Sequence, residues 1–136
     1  MTTTGKTATE KAARLRLAGI ITGLAGLAGM ITWGLYMYEG GPSLIALIPL
    51  DIFYVPFAVG IAIGWKEPFW GGAALIILAL LYSAGTIGTH LTIITSQPLM
   101  EQLAYPLQMT AACFLPQLIS GVLFILAGTA RRQKAA

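Results

Sequence analysis

The chain alternates between long apolar runs and short polar interruptions. A membrane helix needs about 20 mostly apolar residues. Four runs meet that length, at about 17–38, 44–65, 72–94 and 103–129. The interruptions are short, which makes sequence neighbours antiparallel. The pattern therefore predicts an all-α fold, an integral membrane four-helix bundle running up-down-up-down. Residues 17–130 form this single transmembrane domain, and no internal repeat divides it. A polar tail, residues 1–16, precedes the bundle and a basic tail, residues 131–136, follows it. The first tail, with Thr2, Thr3, Thr4 and Gly5, reads as flexible and turns helical from about Ala8. No signal peptide is expected: the first run is too long for a signal core, and Glu10 stands before it.

Composition sharpens this picture. The chain is 57% hydrophobic and only 10% charged, with a mean hydropathy of +0.79. A soluble domain is about 45–50% apolar and about 25% charged, and 136 residues are too few to hide so much apolar surface in one water-soluble core. Disorder, a disulfide scaffold and a typical cytosolic enzyme are excluded.

Charge then sets the orientation. Eight basic residues against five acidic ones give a net charge of +3. Lys6, Lys11, Arg14 and Arg16 precede the first run, Arg131, Arg132 and Lys134 follow the last, and only Lys66 lies between. Basic ends flanking apolar runs are topology signals rather than a nucleic-acid patch. Four spans bring all eight to one side, while the opposite loops carry Glu39 and Glu101. The positive-inside rule places both termini in the cytoplasm of a multi-pass cell-membrane protein. Trp33, Tyr36 and Tyr38 gather at the outer end of the first span, and Tyr105 opens the fourth. Trp65 and Trp70 flank the inner loop. Trp33, Trp65 and Trp70 are the expected interfacial anchors. The expected partners are the lipid bilayer, whose anionic headgroups suit the basic face, and a homo-oligomer or larger membrane complex. Nucleic acid is not expected.

The first span carries Gly19, Gly23, Gly26 and Gly29, with Gly19 and Gly23 forming GxxxG. Small residues let helices approach closely where lipid offers no hydrophobic drive. The Gly19, Gly23 and Gly26 stripe reads either as packing inside the bundle or as a docking face for a second copy or another subunit. Pro49 and Pro56 in the second span, and Pro106 and Pro116 in the fourth, each remove a helical hydrogen bond and invite a kink. Neighbouring helices can satisfy the freed carbonyls.

Asp51 is the acid that falls within a span. A carboxylate at the bilayer centre costs about 2.5–3.5 kcal/mol on insertion scales unless paired or wet. Counted from the outer span ends at 1.5 Å per residue, Asp51 lies about 10 Å deep, His90 about 6 Å and Gln108 about 7–8 Å. These depths suggest an outer-half polar cluster of Asp51, His90 and Gln108, joined by Tyr54 and Thr86. It would either fix helix register through interhelical hydrogen bonds or form a proton or solute site in which Asp51 and His90 titrate together. Asp51 alone reaching water near a kinked helix is the third reading. Gln117, deeper in the fourth span, reads as a local hydrogen-bond partner.

The absences also discriminate. The single cysteine, Cys113, allows no intramolecular disulfide and reads as a small buried hydrophobe. Catalytic zinc needs about three protein ligands, and one His with one intramembrane Asp does not supply them. One His also cannot supply bis-histidine haem within a single chain. Small multidrug exporters match in length and span count but depend on an acid in the first span, which has none. No GxSxG, P-loop or dinucleotide glycine pattern occurs. No enzyme activity, cofactor or metal is expected.

The stretch from Ile48 to Tyr82 has Pro49, then Gly64-Trp65-Lys66, Pro68 and Gly71-Gly72 at the inner turn. It resembles a group of uncharacterised small four-span prokaryotic membrane proteins, in which a small residue, Trp, a basic residue, Pro and Gly-Gly recur at this turn. The resemblance covers about a quarter of the chain. It implies architecture only: Trp65 anchors at the interface, Lys66 stays in the cytoplasm, and Pro68 with Gly71-Gly72 reverses the chain. The expected function is a non-enzymatic accessory subunit or self-associating protein acting through helix packing. The alternative is a small proton-linked transporter or channel using Asp51 and His90.

Overall fold

A computed structural model describes residues 3–37, 44–93 and 98–135, with side chains placed for 7–34, 54–92 and 98–132 except 102 and 105. The described residues are almost wholly helical and contain no strand. Helix α1 spans Thr3–Met37, α2 Leu44–Lys66 and α3 Pro68–Ile93. A final helical run consists of α4 (Leu99–Met109), a π-helical turn (Thr110–Phe114) and α5 (Leu115–Ala135).

Three stretches are long and apolar enough to cross a membrane: Thr7–Gly34, Pro68–Thr92 and Leu99–Arg132. At 1.5 Å per residue the 25-residue stretch of α3 is about 38 Å long and exceeds the roughly 30 Å hydrocarbon layer. Helix α2 has 23 residues, a comparable length, and part of it lies outside the described side chains.

Two boundaries differ from the sequence reading. The first concerns the tail 1–16: it is helical, as expected from about Ala8, but α1 already begins at Thr3. Ala8, Ala12 and Ala13 are strong helix formers, and the turns carrying them pack beside the end of α5. The second is the connection after α2. It is a single residue, Glu67, and α3 starts at Pro68, not at Gly72. Proline suits the first position of a helix because its missing N–H would have no partner there. The Glu67 amide still bonds the Ile63 carbonyl at 2.7 Å, and the Gly71 amide bonds the Glu67 carbonyl at 3.0 Å. Gly71 and Gly72 therefore serve helix contact instead of chain reversal.

Glycine sets how closely the helices meet. A methyl group on Gly71 would overlap the backbone of Gly64. One on Gly72 would lie 2.5 Å from the Gly121 carbonyl oxygen. Gly60 faces Leu75, Gly64 faces the Phe124 ring and Gly128 faces Phe69. These contacts join α2 to α3 and both to α5 at the end of the molecule that carries Lys66, termed here the basic end. The core continues as Phe57, Tyr82 and Phe114, with ring centroids 5.5, 6.0 and 6.2 Å apart, a separation at which aromatic pairs attract. Cys113 is buried beside them.

Candidate functional site

The Gly19, Gly23 and Gly26 stripe lies on the seam between α1 and α5. A methyl on Gly19 would meet the Phe124 ring at 3.1 Å, and one on Gly23 would meet Ile61 Cδ1 and Ser120 Oγ at 2.9 Å. On Gly26 it would lie 2.7 Å from Gln117 Nε2. Gly29 continues the line against the Ala112 carbonyl, 3.1 Å from the same probe position. Partner numbers fall as the glycine numbers rise, so the seam is antiparallel.

Two polar side chains bond across it. Gln117 Nε2 donates to the Gly23 carbonyl at 3.0 Å, and Ser120 Oγ donates to the Gly19 carbonyl at 2.6 Å. Both residues are fully buried. Absent side chains on α1 expose its carbonyls, and those carbonyls take the hydrogen bonds. Gln117 is thus an interhelical partner of a residue 94 positions away, not a local one. Ser120, absent from the sequence reading, belongs to the same seam. Its signal was the polar pair 117 and 120, one turn apart in an apolar run.

The π turn carries the last contact of this seam, Ala112 against Gly29. Pro116 has no amide hydrogen for the Ala112 carbonyl. The turn admits an extra residue, with the Leu115 amide reaching back to the Thr110 carbonyl. Single π turns inside α-helices often mark functional positions. Around it, three buried polar atoms have no hydrogen-bond partner among the described residues: Ser83 Oγ, Thr110 Oγ1 and Gln117 Oε1.

The outer-half residues fall as follows. His90 is half-buried in the last turn of α3. Tyr54 is half-buried against the core. Thr86 Oγ1 donates to the Tyr82 carbonyl of its own helix at 2.8 Å. Gln108 is exposed: it lies two residues, about 200° of helix, from buried Pro106 and so faces away from the interior. The Asp51 side chain lies outside the described residues, and so does any meeting with His90. Trp65 and Trp70 are 60% and 64% exposed, whereas Trp33 packs partly against the core. Among described residues no three His, Cys, Asp or Glu side chains converge as metal ligands do.

On the opposite face of α3, the far end is open. Among the described residues, nothing lies within 4 Å of where a methyl would stand on Gly85 or Gly88. The hydroxyls of Thr89 and Thr92 fold back onto the carbonyls of Gly85 and Gly88 at 2.8 and 3.0 Å. The four residues form a smooth, exposed stripe of small side chains. No family model, curated protein or solved structure matches the chain.

Proposed function

We propose that this chain is a non-enzymatic, four-span protein of the cell membrane, with both termini cytoplasmic, that works by packing against other membrane helices. It serves as an accessory subunit or associates with copies of itself. The carrying observation is the contrast between two small-residue stripes. Gly19, Gly23 and Gly26 are filled by the chain's own α5, so they do not also receive a partner. Gly85, Gly88, Thr89 and Thr92 stand open on α3, and small residues spaced three and four apart are where membrane helices approach each other. The distribution of the eight basic residues supports the orientation.

The test is the mass and composition of the particle extracted in mild detergent. A stoichiometric foreign chain, or a dimer or larger homo-oligomer, is expected. Gly88→Leu dissociates it without unfolding the monomer. A wild-type monomer with no companion chain overturns the proposal.

A second reading, a proton-linked transporter or channel using Asp51 and His90, draws on the unsatisfied hydroxyls of Ser83 and Thr110 and the free Gln117 Oε1. Buried polar groups are normally hydrogen-bonded, and a solute path is one reason for exceptions. Loss of pH-driven flux in liposomes on Asp51→Asn, with folding intact, would favour it. Flux equal to that of empty liposomes would remove it.

A further inference from the structure

At the basic end, the N-terminal turns of α1, the start of α3 and the last turns of α5 enclose an open cleft of about 290 Å³. Its walls are small: Ala8 and Ala12 on one side, Ala130 on the other and Pro68 at the base. Two charged side chains line it, Arg16 and Arg131. No carboxylate does, and among described residues neither arginine is in an ion pair. Arg16 Nη1 donates to the Trp65 carbonyl at the end of α2, a long bond of 3.4 Å. That bond leaves most of its five donors unused. Arg132, next to Arg131, is held elsewhere, 4.6 Å above the Phe69 ring.

We propose that this cleft seats the phosphate of an anionic phospholipid, taken from the leaflet at the basic end. Three observations converge on a lipid. Charge is the first: Arg16 and Arg131 line one cleft, and guanidinium groups recognise phosphate oxygens through short, charge-assisted hydrogen bonds. Depth is the second. The bond from Arg16 to the Trp65 carbonyl sets the cleft level with Trp65 and Trp70, whose exposed rings mark the headgroup layer. Wall chemistry is the third. Apart from the two arginines the lining is alanine and proline with one hydroxyl, Thr9, so it offers mainly aliphatic contact, which suits a glycerol backbone better than a sugar or base. Basic pockets between membrane helices bind headgroups in this manner. The inference needs the chain to cross a membrane, and it is independent of the open stripe on α3.

The test uses the full chain in a neutral detergent, titrated with phosphatidylglycerol, phosphatidylcholine or inorganic phosphate and read by native mass spectrometry. One phosphatidylglycerol is expected to bind about tenfold more tightly than phosphatidylcholine, and inorganic phosphate should not displace it. Arg131→Gln weakens binding about tenfold, while Arg14→Gln, outside the cleft, changes it by about twofold or less. Ala12→Phe keeps every charge but fills the cleft, and it too loses the lipid. Equal loss in Arg14→Gln and Arg131→Gln would mean diffuse surface charge and would overturn the proposal. Full binding by Ala12→Phe, or displacement by inorganic phosphate, would do the same. The two cleft variants alter different properties, so retention of binding by either one is decisive.

Discussion

A single methyl group separates the glycines of this molecule into three kinds. On Gly71 it would collide with the Gly64 backbone, which cannot yield without parting α2 from α3. On Gly19 it would press a Phe124 ring edge 3.1 Å away, and the ring can tilt. On Gly88 it would meet none of the described residues. Unfolding in detergent should rank Gly→Ala variants accordingly. Gly71→Ala should cost about 3 kcal/mol or more and Gly19→Ala about 1 kcal/mol, whereas Gly88→Ala should gain about 0.5–1 kcal/mol from the helix preference of alanine. Equal effects at the three positions would mean that the seams are not close-packed. Ser120 gives a second measurement at this scale. Ser120→Ala removes the donor to the Gly19 carbonyl and should cost about 0.6–2 kcal/mol, the range for interhelical hydrogen bonds in membranes. If Gly19→Leu already parts the helices, adding Ser120→Ala should cost nothing further. The glycine stripe was legible in the sequence because small residues at three- and four-residue spacing define a face. Its occupant was not, since the Gly23–Gln117 and Gly19–Ser120 pairs join residues 94 and 101 positions apart. Nor was the outward aim of Gln108, because depth can be counted along a span whereas azimuth depends on which neighbour a helix meets.

Helices were the most legible level, for each apolar run is long enough to define one. Their ends were less so. Gly71-Gly72 after Pro68 looks like a turn, yet Pro68 starts a helix so well that Glu67 alone completes the reversal. The polar first tail reads as helical only from about Ala8, yet α1 starts at Thr3. The π turn had a sequence cue in Pro116, but a proline can be met by a kink or by an extra residue, and only neighbouring contacts choose. Here Gly29 lies against the Ala112 carbonyl that Pro116 leaves free, so the extra residue preserves both faces of the run. This makes the turn and the proline a coupled pair. Deleting exposed Ala111 should force Pro116 into a regular helix and cost about 3 kcal/mol. Combining the deletion with Pro116→Ala should recover most of that loss. Thermal unfolding of the single and double variants reads the coupling, and additive effects would show that the turn does not accommodate the proline.

At the scale of the whole molecule, the described residues pack tightly at one end and openly at the other. Gly60, Gly64, Gly71, Gly72, Gly121 and Gly128 all have close neighbours towards the basic end, while Gly85 and Gly88 at the far end of α3 have none among the described residues. Unsatisfied Ser83 and Thr110 hydroxyls lie between these regions. Local opening is easiest where buried contacts are few. Amide exchange of the detergent-solubilised protein should therefore be faster over residues 85–92 of α3 than over residues 71–79 of the same helix, a comparison that holds sequence environment and helix type nearly constant. If the open stripe docks a second chain, exchange over 85–92 should slow in the associated particle and quicken again in Gly88→Leu. Faster exchange that is indifferent to association would point instead to water entering near Ser83 and Thr110, the condition that a solute path requires. Uniform protection along α3 in the isolated monomer would contradict the packing gradient and would also withdraw the surface on which association through α3 depends.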